Sequence, residues 1–128
     1  MSYEISYNYD PCGVITRFFG TVTDENLHKS CIDRIKSAEL LEKCSYMLDD
    51  YSEIKDSLIT VDCVHDVATF ALEISAVNRK IKFFVVTPSA HLTNLARFWK
   101  LLSHDTGWEI HIFQSRKEAE EWINSYIR

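Results

Sequence analysis

The chain has 128 residues, of which 46% are hydrophobic and 26% charged, with a formal charge of −5 and only three Gly and two Pro. That length suits one domain over residues 1–128, able to bury roughly two-thirds of its unfolded surface, and the composition leaves no room for linkers. The acidic balance excludes a protein whose main task is holding nucleic-acid phosphates; no apolar run nears the ~20 residues of a bilayer span, and the opening residues lack the pattern of a signal peptide, so a cytoplasmic protein is expected.

Tyr3, Ile5, Tyr7 and Tyr9 alternate with Glu4, Ser6 and Asn8, the period-two pattern of an edge strand with one wet face. Asp10-Pro11-Cys12-Gly13 suits a type I turn into a second strand, Val14 to Phe19, which makes an N-terminal hairpin. Thr23, followed by Asp24 and Glu25, caps a helix that buries Leu27, Cys31, Ile35, Ala38 and Leu41 and runs to about Glu42. Tyr46 to Asp50 reads as a short third strand that ends when its carboxylates reach water, with a polar loop from Tyr51 to Ser57.

The next helix is the clearest in the chain. Cys63, Val67, Phe70, Ala71, Ile74 and Val77 line one side, with Val64, Ala68, Leu72 and Ala76 widening the stripe, opposite Asp62, His65, Asp66, Thr69 and Glu73. Ile81 to Val86 is apolar almost throughout, as in a central strand covered on both faces, and Pro88 ends it. Ser89 caps a third long helix that turns Leu92, Leu95, Ala96, Trp99 and Leu102 inward and Thr93, Arg97, Lys100 and His104 outward. After Gly107, Trp108, Ile110 and Ile112 alternate with His111 and Phe113 in a last strand. Ser115-Arg116-Lys117-Glu118 then opens a final helix that buries Ala119, Trp122, Ile123 and Tyr126. The fold class is α/β: an N-terminal β-hairpin, then alternating α and β elements, giving a mostly parallel five-stranded sheet covered by four helices.

This order, with Phe84-Val85-Val86-Thr87-Pro88, Leu95-Ala96-Arg97-Phe98, Glu109 to Phe113, Glu118-Ala119 and Trp122-Ile123, resembles the STAS-like, SpoIIAA-like family of small bacterial proteins. Met47-Leu48-Asp49-Asp50 resembles that family's third strand, whereas Asn94 stands where a Gly would be expected. The resemblance implies a single STAS-like domain, no metal or organic cofactor, and a regulatory role through a protein partner. It also implies, from lipid-carrying relatives in fold, a small apolar or amphipathic ligand; a homodimer is compatible with it. Antagonists of the family carry Asp-Ser-Ser-Gly with a phosphorylated Ser; here Lys55-Asp56-Ser57-Leu58 keeps Asp-Ser alone, which makes Ser57 the phosphorylation candidate.

In an open parallel sheet, ligands bind beyond the carboxyl ends of the strands. The binding candidates there are Asp50, Ser52 and Ser57 after the third strand, Ser89 and His91 after the fourth, and Ser115 and Arg116 after the fifth, although caps and solvated acids explain the same residues. Arg97 and Phe98 join them, because a guanidinium beside aromatics suits a protein partner or an anionic head group, against a plain salt bridge and an extension of the core. Asp62, His65 and Asp66 share a helix face at ligand spacing, but acids in a first turn answer the helix dipole, so no metal site is expected. His111 reads as a solvated strand-face histidine within reach of His104 or Asp105.

Cys12, Cys31, Cys44 and Cys63 form no Cys-x-x-Cys pair and read as reduced thiols, with Cys12 the most accessible. No nucleophile elbow or phosphate loop is present, so no catalytic residue is assigned. The function expected is a non-catalytic cytosolic regulatory or binding module. The alternatives are a small enzyme using Asp50, Ser57, His91 and Arg97, and a serine-phosphorylated partner-switching regulator.

Overall fold

The computed structural model describes residues 2–36 and 38–127. Strands β1 (Tyr3–Tyr9), β2 (Cys12–Thr23), β3 (Tyr46–Leu58), β4 (Lys82–Val86) and β5 (Glu109–Phe113) form one sheet in that spatial order. β1 and β2 are antiparallel and every later neighbour is parallel. Helices α1 (Asp24–Ile35) and α2 (Ala38–Lys43) link β2 to β3, and α3 (Val61–Val77) links β3 to β4. Helix α4 (Ala90–Leu102) and a short 3-10 turn link β4 to β5, and α5 (Arg116–Tyr126) follows the last strand. Among the described residues no helix is long and apolar enough to cross a membrane.

Each crossover adds the next strand on the same side of its predecessor, so a constant hand stacks the crossover helices on one face of the sheet. Two separate cores result. Val14, Phe18, Met47, Phe83 and Val85 pack beneath Leu27, Val64, Leu92 and Trp99 of α1, α3 and α4. Tyr46, Leu48, Phe84 and Val86 pack against Ala119 and Ile123 of α5. Strand β4, between β3 and β5, therefore buries both of its faces, which is why its sequence is apolar at consecutive positions.

The caps follow from orphan amides at helix starts: Thr23, Thr60, Ser89 and Ser115 each accept from a backbone N–H three residues on, at 3.2 Å. Asp24 joins two of these starts, accepting from Thr60 N at 2.8 Å and Thr60 Oγ1 at 2.6 Å. Gly13 serves packing. The ring of Tyr46 lies over it, so a Cβ there would come within 2.2 Å of the ring, and the Tyr46 hydroxyl accepts from Asn8 Nδ2 at 3.1 Å.

The α/β architecture, the hairpin and the mostly parallel sheet agree with the sequence reading; several local features differ. The hairpin turn is Tyr9-Asp10-Pro11-Cys12, with a cis peptide before Pro11 that puts proline third, as in a type VI turn, rather than second. The first helix does not run to Glu42: α1 ends at Ile35 and α2 is separate, its closing carbonyls at Leu41 and Cys44 accepting from Asn78 Nδ2 at 2.9 Å each. The described helices thus number five α-helices rather than four.

The largest difference lies in β3, which continues through the expected loop to Leu58. Its carboxylates do not end it, because Asp49 and Asp50 are buried against arginines and β2 is long enough to go on pairing, up to Thr23 with Leu58. Leu72 and Ala76 on α3 and Tyr126 on α5 are exposed, since only the inner edge of each helix reaches the sheet or a neighbouring helix.

Candidate functional site

A cavity of about 70 Å³ lies between the sheet and helices α1, α3 and α4. Helix α3 contributes Val64, Val67 and Ala71, α4 contributes Leu95 and Trp99, and β4 supplies Phe83 and Val85 beneath. The aromatic floor is ordered by its own packing: Phe83 meets Trp99 at 4.8 Å between ring centres and stacks on Trp108 at 5.7 Å. The space accommodates a few methylene- or water-sized groups.

One end of the cavity is polar. Asp49 and Tyr51 point to this face because they alternate with Leu48 and Asp50 along β3, and Arg34 follows Leu27 and Cys31 on the inner stripe of α1. Arg34 Nη1 lies 2.6 Å from Asp49 Oδ1, and the two side chains are only 3% and 9% exposed. Arg34 also donates from Nε to the Ser30 carbonyl at 3.2 Å and from Nη2 to Ser30 Oγ at 3.0 Å, while Ser30 Oγ donates to the Leu27 carbonyl at 2.7 Å. Burial pushes the Asp49 carboxyl above its ordinary value against the pull of Arg34, and burial with the nearby Asp49 charge raises the Tyr51 phenol well above its own. Thr16, beside Asp49 on β2, is fully buried and its Oγ1 has no partner among the described residues.

The residues singled out from sequence lie outside the cavity; Asp50, Ser52 and Arg116 come together, while Ser57, His91 and Arg97 stand apart from them. Asp50 faces α5: its Oδ2 lies 3.0 Å from Arg116 Nη1, and its Oδ1 accepts from Ser52 N at 2.9 Å. Arg116 is shared with Glu120 at 2.8 Å. Ser52 is exposed. Ser57 is half-buried opposite Val22, and its seven-residue separation from Asp50 along an extended strand is on the order of 23 Å. Ser89 caps α4, His91 is exposed on the same helix, and Arg97 is exposed along it near Lys100, Leu101 and His104. Phe98 is half-buried and meets His65 edge-on at 5.3 Å. Asp66 sits 3.2 Å from His28, and among the described residues no three His, Cys, Asp or Glu side chains gather to hold a metal ion. His111 packs between Phe84 and Trp122 and approaches Glu109 at 3.1 Å rather than His104 or Asp105.

Arg34 and Asp49 were not legible as a pair, yet each carried a signal. Arg34 is the charged residue that falls seven positions after Leu27 on the buried stripe of an amphipathic helix, and Asp49 follows Met47 on the inward side of the apolar start of β3.

No family model matches the sequence, and no curated protein does. Among solved structures, the anti-sigma factor antagonist SpoIIAA in its unphosphorylated form matches with a TM-score of 0.64 and 11% identity, over 95% of this chain and 97% of that one. An uncharacterised DUF3478-family protein with a SpoIIAA-like fold, from Shewanella loihica PV-4, matches with a TM-score of 0.58 and 17% identity, over 94% and 90% of the two chains. At such identities the likeness concerns the fold alone. The chain has the SpoIIAA-like fold.

Proposed function

We propose that the protein is a non-catalytic binding module that takes a small apolar or amphipathic ligand into the cavity between α3 and α4. The observation that carries this reading is the cavity, about 70 Å³ with an apolar wall and one polar end. The enzyme alternative fits the geometry less well: Asp50 is turned toward α5 and held by Arg116, whereas His91 and Arg97 ride on α4 across the sheet. The unpaired cysteines suit a reducing compartment.

Native mass spectrometry of the purified protein, before and after addition of n-pentane, tests the reading. One bound equivalent that Ala71→Leu abolishes by filling the cavity supports it; no adduct and no rise in melting temperature at saturating pentane overturns it. The likeness to SpoIIAA supports a second reading, a regulator that switches partners upon phosphorylation of Ser57. Intact-mass analysis after incubation with protein kinases from the source cell, showing Ser57 unmodified, removes that reading.

A further inference from the structure

The four cysteines are free thiols but are not equivalent. Cys31 and Cys63 are buried with their sulfurs engaged elsewhere: Arg34 Nη2 donates to Cys31 Sγ at 3.5 Å, and Cys63 Sγ donates to the Asp24 carbonyl at 3.9 Å. Cys12 and Cys44 instead face each other. The Cys44 thiol donates a hydrogen bond to the Cys12 sulfur, and burial together with this neighbour pushes it up to about 12.

The backbone explains why the two meet. Cys12 opens β2, and Cys44 stands between α2 and β3, whose parallel register pairs Gly13 with Tyr46. Beside the two side chains, Ser45 N donates to the Cys12 carbonyl at 2.8 Å, and Asn78 Nδ2 holds the Cys44 carbonyl at 2.9 Å. Both side chains turn to the larger core: Cys44 is 3% exposed within it, and Cys12 packs against it half-buried. Neighbouring strands lie about 4.8 Å apart, within the Cα separation that a disulfide spans. A small oxidant in solution therefore meets Cys12 first, with Cys44 waiting behind it.

We propose that Cys12 and Cys44 are a reversible oxidation site for hydroperoxides, in which Cys12 is the attacking sulfur and Cys44 the resolving one. In the first step a Cys12 S–O bond forms as the peroxide O–O bond breaks; the thiol proton leaves with the departing oxygen, as water when the oxidant is hydrogen peroxide, and Cys12 becomes a sulfenic acid. In the second step the Cys44 sulfur attacks the Cys12 sulfur, the S–O bond breaks, and the hydroxide leaves with the Cys44 proton as a water molecule. The peroxide gains two electrons and the thiol pair loses two. The bond ties the start of β2 to the end of α2, and a cellular thiol reopens it, as suits a transient disulfide in a reducing compartment. The site is separate from the cavity, whose lining includes neither residue.

The test treats the native protein with hydrogen peroxide, blocks the remaining thiols with N-ethylmaleimide, and reads intact mass and an unreduced peptide map. The expected result is a monomer that has lost two hydrogens, a linked peptide joining Cys12 to Cys44, and full reversal by dithiothreitol. Cys44→Ser should stop at a Cys12 sulfenic acid that dimedone traps, Cys12→Ser should lose no hydrogens, and Cys31→Ser and Cys63→Ser should react as the wild type does. No loss of hydrogens, a linkage between any other pair or between two chains, or overoxidation of Cys12 with Cys44 left as a thiol overturns the proposal and leaves the cavity reading standing. The wild-type map decides the matter even if a serine variant does not fold.

Discussion

Replacing Asp49 by leucine leaves the Arg34 guanidinium in the core without its counter-charge. The two side chains are 3% and 9% exposed and 2.6 Å apart, so solvent cannot take over the role of the lost carboxylate. Stranding one member of such a pair costs about 3–5 kcal/mol, against a total stability of about 5–15 kcal/mol for a domain of this size. For 128 residues that corresponds to a fall of roughly 10–20 °C in melting temperature.

The double variant Arg34→Met/Asp49→Leu should behave differently. Both charges give up hydration on burial, and an apolar pair of similar volume is often neutral or stabilising by about 1–4 kcal/mol in place of a buried ion pair. Urea midpoints for wild type, both single variants and the double variant close the cycle. A single Asp49→Leu loss below about 1 kcal/mol, or a double variant as unstable as the two single losses added together, would refute the reasoning.

Three further perturbations probe separate parts of the fold. Burial, with the hydrogen bond to Asp33, pushes the Tyr3 phenol up to about 12. Because the fold favours the neutral phenol, its contribution to stability is present below about pH 10 and lost as the pH rises from there toward 12; ultraviolet titration should show Tyr3 late together with the buried Tyr46 and Tyr51, Asp33→Asn should bring one of these late tyrosines earlier, and Tyr3 titrating near 10 would contradict this. Burial also pushes the thiols of Cys44 and Cys63 up to about 12 and raises that of Cys31, whereas Cys12 is half-buried, so Ellman's reagent at pH 8 should find a single fast thiol that Cys12→Ser removes. A second fast thiol in the native protein would count against the packing described. Gly13→Ala places a methyl group where the buried Tyr46 ring lies, at 2.2 Å, and should lower stability by about 1–3 kcal/mol in urea unfolding; an unchanged midpoint would show that the ring can move aside.

How much of this was readable from sequence depended on whether a residue's partner was local. The run Phe83 to Val86 announced a strand buried on both faces because it is continuously apolar, short, aromatic or β-branched and closed by Pro88, and β4 is such a strand. The four serine and threonine caps act within three residues, and Thr23, Ser89 and Ser115 were all visible in the sequence. Strand β3 was cut short because Asp49 and Asp50 read as solvent-seeking when taken alone; the arginines that neutralise them sit 15 and 66 residues away, on α1 and α5. For the same reason the cavity's polar end went unseen, and candidates were gathered by their position after strands, where Ser57 and His91 were grouped although they sit in separate parts of the fold. The turn at Pro11 was misread because the residue pattern of a type I turn does not reveal which X–Pro isomer the flanking strand register selects.

The central claim is that the space beneath α3 and α4 is open to an apolar occupant, and a crystal of the protein pressurised with xenon tests it most directly. The account predicts one xenon atom among Val64, Ala71, Leu95 and Trp99, lost in Ala71→Leu. A crystal whose only xenon sites lie on the surface, with these side chains in mutual contact, would contradict it.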